Sequence, residues 1–219
     1  MEITPIGRHH GLLTEFRRAF KSGLLPSDDP DRPLLPIEGP RLIGEAIRSG
    51  YRVEKALFSH SGLAHHGDKL LPQFSKHVAP AVADDAAFAA AMDVEHPQGV
   101  AVMVRYPLAT VEAIFGPGSG AGSGAGKGGL SGAGDRPALV VAAAEMQDPG
   151  NLGALIRAAD AFGATGFAAL ADTVSPFNPK AVRASAGSLF HLPIVARLPA
   201  ATLISACQAR GVRLLAASA

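Results

Sequence analysis

Several residue types are scarce in this sequence, and each scarcity excludes a class of protein. Cysteine occurs once, at Cys207, so no disulfide can form within the chain, which is typical of proteins in the reducing cytoplasm. No apolar run reaches the roughly 18 residues of a membrane span. The first residues also show no signal-peptide pattern. We therefore expect a cytoplasmic protein that does not enter a membrane.

Net charge is also nearly absent. The 20 lysines and arginines and the 19 acidic residues leave a formal net charge of +1 at pH 7. A strongly basic chain attracts nucleic acid through its overall field. Here, any RNA-binding surface has to be a local patch of basic side chains.

The histidines lack the spacing of a metal site. His9 and His10 are adjacent, as are His65 and His66, and adjacent side chains point apart on a helix. No cysteine accompanies them, and no His-Glu-x-x-His spacing occurs. We therefore expect solvated histidines and no bound metal.

A glycine-rich segment divides the chain. Residues 116–136 consist mostly of glycine, alanine and serine and cannot bury enough surface to order themselves. We interpret them as a flexible linker between domains at residues 1–115 and 137–219. A phosphate-binding loop is the alternative, but the segment lacks its Gly-Lys-Ser/Thr ending and its strand–helix frame.

Both predicted domains are of the α/β class. The first alternates strands and helices, including a helix near residues 68–74, which favours a compact α/β/α sandwich. In the second, apolar strands alternate with helices, as in a parallel sheet covered on both faces. Its predicted strands are residues 138–144, 166–171, 192–196 and 212–217, and its predicted helices are residues 151–162, 179–189 and 200–210.

The segment EMQDPGNLGALIRAADAFG (residues 145–163) predicts a strand, a turn and a helix. We expect the helix to begin at Asn151 and to end at Gly163. Its apolar face comprises Leu152, Leu155, Ile156, Ala159 and Phe162, while Gly153, Arg157 and Asp160 fall on the opposite side. Gly153 would admit a close neighbour. Arg157 is either a functional cation or a solvated partner of Asp160.

A second basic pattern lies in residues 175–195. Asn178 is an N-cap type and Pro179 occupies the first helical position. Lys180, Arg183 and Gly187 then share one helical face, an arrangement that suits phosphate groups. The alternative is a basic surface stripe on an ordinary core helix.

These motifs resemble a known family. NLGALIRAADAFG after QDPG resembles the first signature of the SpoU (TrmH-type) RNA 2′-O-ribose methyltransferases of the SPOUT superfamily, and NPKAVRASAGSLFHLPI resembles the segment that follows. IEGPRLIGEAI and HPQGVAVMV are similar to the RNA-binding substrate domain that many members carry. The resemblance covers about residues 34–110 and 138–217.

The resemblance implies a fold, a reaction and a set of residues. It implies an α/β knot domain that uses S-adenosylmethionine to methylate a ribose 2′-hydroxyl in structured RNA, with ribosomal RNA favoured over transfer RNA. Arg157 would help to remove the hydroxyl proton beside an RNA phosphate, and Asn151 would order that site. A guanidinium has no acceptor, so orienting phosphate is the other role open to Arg157. The implied RNA contacts are Glu38, Arg41, Lys180 and Arg183.

The later signatures of the family, Gly-x-Glu and Pro-Met…Ser-Leu-Asn, do not occur in these 219 residues. In the family they thread the knot, form most of the cofactor pocket and contribute to a homodimer interface. We expect this cofactor-binding segment to lie beyond Ala219, the last residue of the sequence. We therefore expect an incomplete knot domain with no assignable cofactor-binding residues and no measurable S-adenosylmethionine binding.

Two other functions compete with this interpretation. One is a catalytically silent RNA-binding protein that retains the scaffold. The other is a dehydrogenase, which is disfavoured because no Gly-x-Gly-x-x-Gly opens a helix after a strand.

Overall fold

The computed structural model describes residues 2–92, 94, 96–116 and 137–217. Within them the chain forms a five-stranded sheet in residues 2–116, the amino-terminal part, and a three-stranded sheet in residues 137–217, the carboxyl-terminal part. Apart from Gly116, the linker predicted at residues 116–136 lies outside the described residues. Ala219, beyond which we expect the family's cofactor-binding segment, also lies outside them.

Strands and helices alternate through both parts. The amino-terminal part contains β1 (Thr4–Pro5), α1 (Gly11–Ser22), β2 (Leu34–Glu38), α2 (Pro40–Arg48), β3 (Val53–Ser59), α3 (His60–Leu70), β4 (Ala81–Ala83), α4 (Asp85–Ala91) and β5 (Val100–Arg105). The carboxyl-terminal part contains β6 (Val140–Ala143), α5 (Pro149–Ala161), β7 (Gly166–Leu170), α6 (Pro179–Ala184), β8 (Ile194–Leu198) and α7 (Ala200–Ala209). Short 3-10 helices occupy Leu71–Gln73, Ala113–Phe115 and Ser188–Phe190.

The five-stranded sheet, in the order β1-β4-β3-β5-β2, is covered on both faces. Successive side chains of a strand point to opposite faces. Accordingly, Val100, Val102 and Val104 of β5 join one apolar cluster with residues of α2 and α3, whereas Ala101 and Met103 join another with residues of α1 and α4. This arrangement confirms the α/β/α sandwich.

Helix α3 begins earlier than predicted. It starts at His60 because the Ser59 side chain accepts a 3.0 Å hydrogen bond from the Gly62 N–H. Gly62 also lies directly against the Gly99 backbone, where a Cβ would come within 1.9 Å of the Gly99 carbonyl oxygen. The helix predicted near residues 68–74 was therefore placed too late, and its end is the 3-10 turn Leu71–Gln73.

The three strands of the carboxyl-terminal part are parallel, in the order β6-β7-β8. Residues of α5 and α6 pack on one face of this sheet and residues of α7 on the other. The strand predicted at residues 212–217 is wrong: that segment has no regular structure, and Leu214 and Leu215 are 54% and 80% exposed. The Val212 N–H bonds back to the Cys207 carbonyl and so closes the end of α7.

The start and the end of α5 also differ from prediction. The helix begins at Pro149, which is favoured at the first helical position, and Asp148, not Asn151, is the N-cap. Phe162 lies just beyond the last helical turn and is 84% exposed, so it is wrong as a member of the apolar face. Gly163 has a φ of +74° and follows the C-cap residue as expected.

The two parts pack against each other through aromatic side chains. Tyr51 stacks on Tyr106 at 5.5 Å between ring centroids and contacts the edge of Phe190 at 4.9 Å. Tyr106 also meets Phe177 at 5.1 Å, and its hydroxyl donates to the Leu189 carbonyl oxygen at 3.3 Å. One apolar cluster thus contains buried residues of both sheets.

Candidate functional site

The predicted catalytic segment lies at the carboxyl edge of the parallel sheet, where open α/β sheets take their ligands. The Asp148 carboxylate accepts a 2.7 Å hydrogen bond from the Asn151 N–H and lies 3.7 Å from the Lys180 ammonium. These interactions, the hydrogen bond first, hold the pKa of Asp148 below its usual value. The Gln147 amide spans the edge by donating to the carbonyls of Glu145 and Asp172, at 3.3 and 2.7 Å.

Gly153 meets a helix, not a ligand. It is buried against α6, where an added Cβ would lie 2.4 Å from the Ala181 carbonyl oxygen and 2.6 Å from the Ala184 Cβ. The close neighbour expected at Gly153 is therefore the backbone of α6. This contact fixes α5 against α6 and so sets the position of the arginine one turn further on.

Arg157 is exposed and has no hydrogen bond or ion pair within the described part of the chain. Asp160, its expected surface partner, instead contacts the His191 ring at 2.8 Å. Asn151 is also exposed, but it precedes Arg157 by about 9 Å along the helix axis and lies about 120° around it. The structure thus leaves Arg157 available to a ligand and does not bring Asn151 beside it.

The basic pattern on α6 is divided between two locations. The predicted helix over residues 179–189 is wrong beyond Ala184, because Ala186 and Gly187 adopt φ values of +53° and +104° and end it. Lys180 faces Asp148 at the start of α5. Arg183 lines a cleft against the amino-terminal part instead. The predicted common face of Lys180, Arg183 and Gly187 therefore does not form.

Gly187 is needed at the contact between the two parts. An added Cβ would lie 2.5 Å from the Cγ of Glu45 on α2. The Glu45 carboxylate in turn lies 3.1 Å from Nε2 of His191, whose Nδ1 faces Asp160. Partial burial acts to lower the pKa of His191, but the hydrogen bonds and charges of the two carboxylates outweigh it and raise that pKa.

A cleft of about 230 Å³ opens between the two parts; we call it the Glu38 cleft. Its lining residues are Glu38, Gly39, Arg41, Leu42, Gln98, Arg183 and Ala186. It collects three of the four predicted RNA contacts, and the fourth, Lys180, is not among its lining residues.

The Glu38 carboxylate is the most deeply placed charge in this cleft. Glu38 is only 6% exposed, and its carboxylate accepts a hydrogen bond from the Gln98 N–H. Burial raises the pKa of Glu38, while that hydrogen bond and the charge of Arg183 act in the opposite direction. The Arg183 Nη1 is buried and has no hydrogen-bond partner among the described residues.

Sequence reasoning missed two features of this region. It missed that Gln98 lines the cleft and that the Gln98 N–H donates to the Glu38 carboxylate. It also missed the His191 contacts between the parts. Neither contact leaves a pattern within one segment of the sequence, because Gln98 and Glu38 are 60 residues apart and His191 and Glu45 are 146 residues apart.

The described residues contain no group of histidine, cysteine, aspartate or glutamate side chains suited to a metal ion. A search of the same residues for membrane-spanning helices finds none of sufficient length and apolarity.

The carboxyl-terminal part matches a known protein family. Residues 138–219 match the model of the SpoU rRNA Methylase family. The chain is 29% identical over 181 residues to the 23S rRNA (guanosine(2553)-2′-O)-methyltransferase RlmP of Bacillus subtilis (strain 168), covering 81% of this chain and 59% of that protein. It is 51% identical over 51 residues to the 23S rRNA (uridine(2479)-2′-O)-methyltransferase of Streptomyces viridochromogenes, covering 23% of this chain and 17% of that protein.

Solved structures agree on the fold. The SpoU methyltransferase AviRb from Streptomyces viridochromogenes in complex with AdoMet superposes with a TM-score of 0.69 at 22% identity, covering 93% of this chain and 69% of that one. An rRNA methyltransferase from Sinorhizobium meliloti gives a TM-score of 0.68 at 21% identity, covering 95% and 70%. The signature around Arg157, the parallel sheet and the match of residues 138–219 agree, so the carboxyl-terminal part of the chain is similar to the SpoU rRNA Methylase family.

Proposed function

We propose that this protein takes part in the S-adenosylmethionine-dependent methylation of a ribose 2′-hydroxyl in ribosomal RNA. Residues 1–115 act as the RNA substrate-binding domain and residues 137–219 as the methyltransferase domain. The observation that carries the proposal is Arg157, an exposed guanidinium without a partner among the described residues, inside the family-matched segment. The chain spans 59% of the Bacillus subtilis relative, so the activity of the whole protein is part of the proposal.

Methyl transfer to a ribose hydroxyl gives Arg157 a chemical role. A ribose hydroxyl is a weak nucleophile, so it needs alignment with the methyl donor and stabilisation as its proton leaves. A guanidinium offers several donors and no acceptor. Arg157 therefore binds a neighbouring phosphate and stabilises the negative charge that develops on the ribose oxygen. Asn151, in the first turn of α5, binds the same RNA segment nearer the sheet edge.

S-adenosylmethionine supplies an electrophilic methyl group when it is bound. The described residues at the sheet edge do not form an enclosing cradle for it: Glu145, Gln147 and Asp172 are exposed, and Gln147 bonds to the other two. We therefore assign no cofactor-binding residue, and the placement of the family's cofactor segment beyond Ala219 stays a prediction. The reaction needs no metal ion, because the sulfonium is itself the electrophile.

The RNA contacts of the proposal divide into two groups. Glu38, Arg41 and Arg183 act in the cleft between the two parts, and Lys180 acts beside the start of α5. We extend the proposal to a homodimer of the full-length protein and to a cytoplasmic location. The resemblance of residues 138–219 to the family supports the dimer, and the single cysteine supports a reducing compartment.

Methyl transfer from labelled S-adenosylmethionine to ribosomal RNA transcribed in vitro, measured with the full-length protein, tests the proposal. Arg157→Ala should lower turnover by about a hundredfold or more and leave RNA binding mostly intact, because the other predicted RNA contacts remain. Arg18→Ala is the matched control, because Arg18 is also an exposed arginine on a helix and should leave both quantities unchanged. Full activity of Arg157→Ala would refute the catalytic role. RNA binding without any transfer by the wild-type protein would favour the catalytically silent RNA-binding alternative.

A further inference from the structure

The Glu38 cleft contains charged groups whose hydrogen-bonding capacity is not used. The Arg183 Nη1 is buried without a hydrogen-bond partner in the described part of the chain, although a buried donor normally has one. Glu38 is 6% exposed, and its carboxylate accepts the Gln98 N–H. Two carboxylate oxygens can accept about four hydrogen bonds. The cleft therefore has both acceptor and donor capacity for a ligand.

We propose that the Glu38 cleft holds an unpaired guanine base of the substrate RNA. A carboxylate presents two adjacent acceptors, and a neighbouring guanidinium adds a donor. The Watson–Crick edge of guanine presents two adjacent N–H donors, at N1 and N2, followed by the O6 acceptor. At the corresponding positions adenine has one donor beside an acceptor, cytosine one donor beside two acceptors, and uracil one donor between two acceptors, so none can donate to both oxygens of Glu38. Guanine is the base that matches Glu38 and Arg183 together.

The size of the cleft favours one base. Its volume of about 230 Å³ lies below the roughly 300–1,000 Å³ of drug-sized ligand pockets, so a base pair does not fit. Proteins that read RNA sequence bind unstacked bases of loops and bulges by their Watson–Crick edges. Arg41 lines the same cleft and is exposed, so it is placed to bind the phosphate of the nucleotide whose base enters.

The site is complete only when the two parts of the chain are packed together. Glu38 ends β2 in the amino-terminal part, whereas Arg183 lies on α6 in the carboxyl-terminal part. Gly39, the residue after Glu38, has a φ of +97°, and a Cβ there would lie 3.1 Å from the Gln98 Oε1, so a side chain at this position would be strained and would crowd Gln98. This inference rests on the proposed function and adds that a guanine is read jointly by both parts.

Fluorescence anisotropy with short labelled oligouridines tests the inference. The central nucleotide is replaced by guanosine, inosine, adenosine or cytidine, and the unreplaced oligouridine is the reference. Guanosine should bind about tenfold or more tightly than adenosine, cytidine or uridine, as a good bidentate contact discriminates. Inosine, which lacks the N2 amino group, should fall between. Equal binding of all five oligonucleotides would overturn the inference.

Three variants separate base reading from general RNA binding. Glu38→Gln keeps an acceptor for the Gln98 N–H but replaces one oxygen by a donor, so the guanosine preference should disappear. Arg41→Ala should weaken all oligonucleotides equally and preserve the preference. Arg18→Ala should change neither. A guanosine preference that survives in Glu38→Gln would contradict the assignment of the base to this carboxylate.

Two further measurements keep the test decisive. If thermal unfolding shows that Glu38→Gln does not fold, Arg183→Lys replaces it, because an ammonium lacks the planar fork of a guanidinium and should lose most of the preference. Free guanosine monophosphate should compete poorly. Competition equal to that of the RNA would identify a mononucleotide site and overturn the RNA assignment.

If no oligonucleotide binds, the guanine inference fails, while methyl transfer to ribosomal RNA still decides the proposed function independently.

Discussion

Arg157 and Arg183 carry the same guanidinium in two different surroundings. Arg157, on α5, is exposed and has no hydrogen bond or ion pair within the described residues. Arg183, on α6, is half-buried in the Glu38 cleft, where burial raises the pKa of Glu38 and the charge of Arg183 acts to lower it. Each arginine follows an asparagine by one to two helical turns in the sequence. What differs is the neighbour: α6 packs beside Gly153 and leaves Arg157 uncovered, whereas the amino-terminal part covers Arg183.

The two contacts that position these arginines have different tasks. The contact of α5 with α6 at Gly153 positions both side chains, because each arginine is on one of these two helices. The contact of Gly187 with Glu45 joins the two parts of the chain and therefore concerns Arg183 alone. Substitutions at the two glycines should separate these tasks.

The largest effect is expected for Gly153→Ala. The added Cβ would lie 2.4 Å from a backbone oxygen of α6, and backbone cannot rotate away as a flexible side chain can. We expect a loss of about 3 kcal/mol in the free energy of unfolding, measured by urea denaturation, together with loss of both methyl transfer and guanosine preference. Gly11→Ala, whose Cβ meets nothing within 4 Å, should be nearly neutral. Retention of either function by a folded Gly153→Ala protein would show that the α5–α6 contact does not position that arginine.

A smaller and more selective effect is expected for Gly187→Ala. Its φ of +104° and the 2.5 Å approach to Glu45 Cγ should cost about 2 kcal/mol and weaken the guanosine preference. The methyl-transfer rate at saturating RNA should change little. Gly50→Ala is the matched control, since Gly50 has a φ of +84° but open space around its Cβ, so it reports backbone strain alone. Equal loss of stability in the two variants would mean that the Glu45 contact contributes nothing.

The smallest effect concerns pH and His191. Burial acts to lower its pKa, but Asp160 and Glu45 raise it by more, and Arg48 also faces Glu45. The stabilisation is therefore fully present below the unfolded pKa of roughly 6.5 and is lost as pH rises through the folded pKa. Because His191 is 40% exposed, we expect less than about 1 kcal/mol. Urea denaturation at several pH values should show this slope in the wild type and in His77→Ala but not in His191→Ala.

The alternation of strands and helices was largely predictable, because its signals are local. Pro40 begins α2, Gly163 follows the end of α5, and the alternating residues of β5 enter two separate clusters. The failures occur where pairing or packing decides. Residues 212–217 are apolar enough for a strand but do not pair with the described sheet. The helix predicted over residues 179–189 ends at Ala184 because positive φ values follow.

In the candidate site, too, local motifs were readable from the sequence, whereas the packing of separate elements was not. Long motifs make the residues around Arg157 candidates, and these residues lie inside the family-matched segment. The arrangement of the RNA contacts could not be read from spacing, since Lys180 and Arg183 are neighbours on α6 yet face different groups. Helical periodicity assigns a residue to a face, but it does not determine which element covers that face.

The sequence by itself determined the α/β class, the family signature and the identity of the candidate residues, because these depend on hydrophobic period and on motifs within one segment. The tertiary structure alone decided that Gly153 receives α6, that Gly187 receives Glu45, and that Glu38 and Arg183 meet in one cleft. These contacts join residues that are distant in the chain, and they form only when the side chains of separate elements are packed together.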